Sequence, residues 1–210
     1  MQPPSPSPSA PDDAAAAREL TPQQWNEVAA PPVELAERCA ELMPHDGVLT
    51  VDELQQLANA IADDPEIWEP LTIVDPHRRR YRLLYEDDRI DVWVLSWMHG
   101  QGTGFHDHDL SAVGLASAAG HVVERQMLLP NGATSVDMVP GVSRPGPPGY
   151  IHSVAHVSGT PAVTIHAYSP PLVRVGQYRV DDEGVLRRSI EHGRQELLDN
   201  TIAAIDPERA

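Results

Sequence analysis

Between residues 76 and 185 the chain is cut into short pieces, and that punctuation limits the folds open to it more than any other feature. Segments rich in Val, Ile, Tyr and Trp run over 80–84, 90–97, 112–118, 121–129, 135–139, 162–168 and 172–180. Between them stand residues that turn a chain: Glu86-Asp87-Asp88, Pro130-Asn131-Gly132 and Pro140-Gly141. Several short strands with such turn signals predict a β-sandwich or barrel. In 90–97, Val92 and Val94 alternate with Trp93 and Leu95. Both faces are apolar, so this strand is expected to be covered on both sides.

The stretch before Pro76 reads differently. Leu35, Cys39 and Leu42 recur near helical spacing across 33–43, after a start signal at Thr21-Pro22. Thr50-Val51-Asp52-Glu53 matches a capping box, in which Thr50 and Glu53 satisfy each other's backbone donors. Leu54, Leu57 and Ile61 then form an apolar stripe that stops near Asp63-Asp64-Pro65. These helices are expected to pack on the sheet. Residues 1–17 are Pro-, Ser- and Ala-rich and cannot bury a face, which predicts a disordered tail. The organisation expected is therefore a tail over 1–17, helices over 18–75, a β-barrel over 76–185 and a C-terminal helix or tail over 186–210.

Charge and cysteine usage exclude several functions. A net charge of −16 argues against nucleic acid, whose phosphates it would repel. No run approaches the roughly 20 apolar residues of a membrane span, and the N-terminus lacks the pattern of a secretory signal. The single cysteine, Cys39, permits no intrachain disulfide and no thiolate cage. A cytoplasmic monomer is expected, and any metal must rest on His, Asp or Glu.

Histidine supplies the candidates. Gly100-Gln-Gly-Thr-Gly-Phe-His106-Asp-His108 is a Gly-rich turn leading to two histidines two apart. In a strand these share a face and can chelate one cation. Pro145-Gly-Pro-Pro-Gly-Tyr-Ile-His152 repeats the design, a turn leading to a histidine. Three imidazoles suit iron, zinc, copper or nickel and leave positions open for substrate. A third segment places Thr164, His166 and Tyr168 on one face, opposite Val163, Ile165 and Ala167. That face is either solvated or an inward hydrogen-bonded relay. His99, His121 and His156 are given no role, Trp93 and Trp97 are read as core, and Cys39 as helix packing.

With these motifs together, the chain resembles the cysteine dioxygenase family of the cupin superfamily. The likeness runs from about Tyr81 to Pro171: Ser96-Trp97, the turn ending His106-Asp-His108, Gly120 with Glu124, Gly149-x-x-His152, and Pro161-Ala-Val-x-x-His166-x-Tyr-Ser-Pro-Pro171. The resemblance implies a mainly β fold, a small antiparallel barrel or jelly roll of the cupin type with N-terminal helices packed on it. It implies iron(II) (Fe2+) on His106, His108 and His152. Tyr168 is then the hydroxyl beside the iron, held by His166 with Thr164 behind it. Arg82 falls where the family binds the substrate carboxylate, with Arg80, of the same strand parity, as the fallback; Arg78 and Arg79 are read as surface charges.

Two departures from the general pattern stand out. Asp109-Leu-Ser-Ala-Val113 offers no glutamate ligand after the histidine pair, in keeping with a three-histidine site. Val113 stands where mammalian members carry a cysteine cross-linked to the tyrosine, so that thioether cannot form. The activity implied is conversion of L-cysteine and O2 to cysteine sulfinate. The alternatives are dioxygenation of another small thiol, such as 3-mercaptopropionate, whose enzymes typically carry glutamine in place of the arginine, or a non-catalytic metal-binding cupin.

Overall fold

The computed structural model of the chain describes residues 31–129 and 132–192. The expected tail, the helix start at Thr21-Pro22 and everything after residue 192 lie outside them. Helix α1 spans Val33–Glu41, α2 Val51–Ala62 and α3 Pro65–Trp68, followed by a 3-10 turn, Glu69–Leu71. The capping box forms as expected. The Glu53 N–H donates to Thr50 Oγ1 (3.3 Å) and the Thr50 N–H to Glu53 Oε2 (2.8 Å). Asp64 caps α3 through the Glu66 N–H, with Pro65 in the first turn, where its missing donor costs nothing.

Eleven strands follow: β1 Arg80–Glu86, β2 Asp91–Trp97, β3 His106–Asp107, β4 Ala112–Ala119, β5 Val122–Met127, β6 Ala133–Met138, β7 Ser143–Gly146, β8 His152–Ala155, β9 Ala162–Ser169, β10 Arg174–Val180 and β11 Leu186–His192. They form two antiparallel sheets, ordered β1-β2-β9-β4-β7 and β11-β10-β3-β8-β5-β6. The mainly β architecture with helices packed on it is thus the one expected. The segment from residue 186 departs from its expected helix or tail. As far as residue 192 it is a strand, paired along its length with β10 through a turn at Asp181–Gly184.

Each face of the first sheet has its own core. On one, Leu54, Leu57, Ala58 and Ile61 of α2 pack with Val92, Val94, Ile165 and Ala167. On the other, Trp93, Leu95, Trp97, Val113, Leu115 and Tyr168 meet Val122, Met138, Val154 and Val175 of the second sheet. Strand β2 is buried throughout because it serves both. Each fully buried Leu or Ile contributes about 1.5–3 kcal/mol, so the α2 stripe is a substantial anchor. Its close approach needs Gly114 on β4, where any Cβ would collide with the Leu54 carbonyl. Among the described residues no helix is long and apolar enough to cross a membrane.

Candidate metal centre

The space between the sheets holds the predicted histidines. Strand β3 is only two residues long, held by β8 on one side and β10 on the other. His106 lies directly across from His152 in the β3–β8 register. Ring centroids are 5.1 Å apart for His106 and His108, 4.6 Å for His106 and His152, and 5.1 Å for His108 and His152. One ligand nitrogen from each of the three lies within 4.8 Å of the others, all buried. The hydrogen bonds prepare the rings for a cation. His106 Nδ1–H donates to the Gly104 carbonyl (2.9 Å), and His152 Nδ1–H to Glu124 Oε1 (2.8 Å). In that tautomer Nε2 of each ring carries the lone pair that a metal needs. His152 Nε2 is fully buried with no hydrogen-bond partner among the described residues, a costly state that a cation would relieve.

Glu124 was noticed in the sequence only as part of a motif; the fold turns it into the support of His152. It also accepts from Tyr150 Oη (3.2 Å) and from Arg144 Nε (3.2 Å). Burial alone would raise its pKa, but the His152 hydrogen bond and the Arg144 charge outweigh this and keep it ionised. Burial lowers the pKa of His152 to about 4, against a smaller upward pull from Glu124, so the ring is neutral, as a ligand must be.

The first sheet supplies the facing wall. The face carrying Thr164, His166 and Tyr168 turns inward, not to solvent. Thr164 Oγ1 to His166 Nε2 is 3.0 Å, and His166 Nδ1 to Tyr168 Oη is 3.0 Å. Trp97, read from sequence as core filling, heads this relay by donating its indole N–H to Thr164 Oγ1 (2.9 Å). Indole nitrogen can only donate. The assignment that uses each group once has Thr164 donating to His166 Nε2 and His166 Nδ1–H donating to Tyr168. The Tyr168 proton then points away from the relay. The Tyr168 ring packs edge-on against His108 at 4.8 Å. Val113 is the β4 residue directly opposite Tyr168, which is where a cross-linking cysteine would have to stand.

The arginines fall differently. Tyr81 and Leu83 pair with Leu95 and Trp93, and the Tyr81 and Trp93 rings are 5.9 Å apart, so these residues face the inter-sheet core. Arg80 and Arg82 pair with Ser96 and Val94 and lie on the opposite, helix-covered face. Arg80 is tied to Asp75 at 2.7 Å. Arg79 has the parity of Tyr81. It is only 3% exposed, and its guanidinium lies 4.8 Å from the Trp97 ring centroid, beside the head of the relay. Beyond these residues β1 carries a bulge between Leu83 and Tyr85, which inserts one residue into the strand. Cys39 is buried and its thiol is pushed up to about 12 by burial, in keeping with packing and not reactivity.

A family model described as cysteine dioxygenase type I matches residues 23–181, well over half of the chain. The chain belongs to that family. Human cysteine dioxygenase type 1 is 29% identical over 133 residues, which cover 59% of this chain and 66% of the human protein. The zebrafish (Danio rerio) protein of the same name is 30% identical over 134 residues, 59% of this chain and 67% of its own. The match thus spans about two thirds of the length of these curated relatives. Among solved structures, a Thermus thermophilus protein aligns with 22% identity and a TM-score of 0.44, over 49% of this chain and 93% of its own. A cupin superfamily protein from Desulfitobacterium hafniense aligns with 15% identity and a TM-score of 0.42, over 48% and 84%.

Proposed function

We propose that the chain is an iron(II)-dependent thiol dioxygenase that converts L-cysteine and O2 to cysteine sulfinate. The observation that carries this reading is the convergence of three buried imidazoles from one sheet on a tyrosine relay from the other. His106, His108 and His152 would hold the ion, which would supply a place where a thiolate and dioxygen meet and exchange electrons. The reaction adds both oxygen atoms to one sulfur, so it needs no outside reductant.

The chain's own residues bind, orient and keep water out. Arg79 is our candidate for the substrate carboxylate, in place of Arg82 and Arg80. Its planar fork can hold a carboxylate through two hydrogen bonds, and burial on Trp97 strengthens that contact. Tyr168 offers a hydrogen-bond donor next to the reacting sulfur, with its oxygen fixed by His166. Core side chains from both sheets close the space around them. An arginine just ahead of β1, with the parity of its inner face, favours cysteine over 3-mercaptopropionate, whose enzymes typically carry glutamine in that role. The reading places a monomer in the cytoplasm, acting on a small thiol and on no nucleic acid.

The test is mass analysis of the product formed from cysteine under labelled dioxygen by iron-loaded protein. Sulfinate carrying two labelled oxygens is expected, with Arg79→Ala raising KM for cysteine at least tenfold and Arg82→Ala leaving it near the starting value. Absence of any labelled sulfinate removes the activity; an unchanged KM in Arg79→Ala removes only the carboxylate assignment. Faster oxygen uptake with 3-mercaptopropionate than with cysteine moves the substrate to the second thiol.

A further inference from the structure

Asp107 lies between two proposed metal ligands, and strand alternation turns it outward while His106 and His108 face in. An outward residue is normally solvated, yet Asp107 is 3% exposed. It is covered by a clamp from the last hairpin. Arg188 of β11 donates Nε–H to Asp107 Oδ2 and Nη2–H to Oδ1, both at 2.7 Å, and Tyr178 of β10 donates to Oδ2 at 2.6 Å. The register explains the reach. Tyr178 is opposite Arg188, and Gly176 is opposite Asp107, so all four share one face of three adjacent strands. Arg188 crosses the position of Gly176, where a Cβ would overlap its guanidinium. Only glycine leaves that path open.

The hold extends past the second histidine. Asp109, in the left-handed conformation (φ 55°), receives Arg174 Nη2 at 2.7 Å and Arg188 Nη2 at 3.3 Å, and its own N–H donates to Asp107 Oδ1 (2.9 Å). Strand β3 is too short to fix its own orientation: it has one paired residue on β8 and two on β10. A bidentate Arg–carboxylate pair supplies directional restraint of the kind that a short ladder lacks.

We propose that Arg188, acting through Asp107 across Gly176, is a positioning residue that sets the angle at which His106 and His108 present their imidazoles to a metal. This rests on the three-histidine site being a metal centre, but not on the thiol chemistry. Supporting partners of metal ligands typically change affinity by about 10–100-fold when removed. The clamp acts one step further out, through the backbone of the residue between two ligands.

The test uses cobalt(II) alone, titrated into the metal-free full chain and read by its visible spectrum. Arg188→Ala is expected to weaken binding about tenfold or more and to change the band positions, at temperatures well below its melting point. Gly176→Ala, which obstructs the path and leaves both partners in place, is expected to change affinity and spectrum in the same direction. Arg188→Lys is expected to recover only part of the affinity, since an ammonium cannot form the fork. Arg187→Ala, altering a neighbour that is 63% exposed and paired with Asp181, is expected to bind like the unaltered chain. Unchanged affinity and spectrum in both Arg188→Ala and Gly176→Ala overturn the proposal; a lowered melting temperature alone does not rescue it. If Arg188→Ala fails to fold, Gly176→Ala decides by itself. If the unaltered chain binds no cobalt(II), the metal-centre reading falls instead.

Discussion

Glu124 shows how much a ligand depends on the residue behind it. The carboxylate holds His152 in one tautomer and is itself kept charged by Arg144 and its hydrogen bonds. Glu124→Gln preserves shape and can still accept the ring proton, but it removes the charge that raises the basicity of Nε2. We expect it to weaken metal binding about 10–100-fold while the far-ultraviolet circular dichroism stays the same; equal affinity in a titration would deny Glu124 that role. At this scale the sequence was readable where spacing carries the information. His106, His108 and His152 come together as anticipated, and the Thr164-x-His166-x-Tyr168 period forms a relay. The burial of Arg79 was not readable, because nothing local in Arg78-Arg79-Arg80 marks it off from its neighbours. Trp97 was half readable, its burial foreseen and its donated hydrogen bond not.

Among the elements, α2 has the most exacting fit. Its backbone lies on Gly114, so Gly114→Val must lift the helix or bend β4. Overpacking of this kind costs about 1–3 kcal/mol, and we expect at least the upper end, read as a lower urea midpoint at unchanged slope. A cost near zero would mean that the helix can slide at no expense. The longer strands and the capped helix were legible from alternation, turn residues and the Thr50–Glu53 pair. Strand β7 was not assigned as a strand, since four residues with glycine and proline carry too little pattern. Pro145 in β7 is tolerated because β7 is an edge strand, with one neighbour and one side without a ladder. Strand β11 was expected to be a helix or a tail. Arg187, Arg188 and Glu191 suit either state, and only pairing with β10 decides between them.

At the scale of the molecule, the site links strands far apart in sequence, so a bound ion should report on the stability of the whole. At a concentration 100-fold above its Kd, a metal that binds only the folded state adds about 2.7 kcal/mol. For a chain of this size that corresponds to a rise in Tm of about 5–10 °C. Scanning calorimetry with and without cobalt(II) checks this, and an unchanged Tm under saturation would mean that the three rings do not share an ion. The two-sheet arrangement has a further consequence. The three imidazoles and the Glu124 carboxylate behind His152 lie on or next to strands of one sheet, and the relay with Arg79 beside it belongs to the other. Changes that select a new guest can accumulate on β1 and β9 while the cradle on β3 and β8 is inherited untouched. Descendants of such a scaffold are free to trade one small guest for another without rebuilding the histidine cradle.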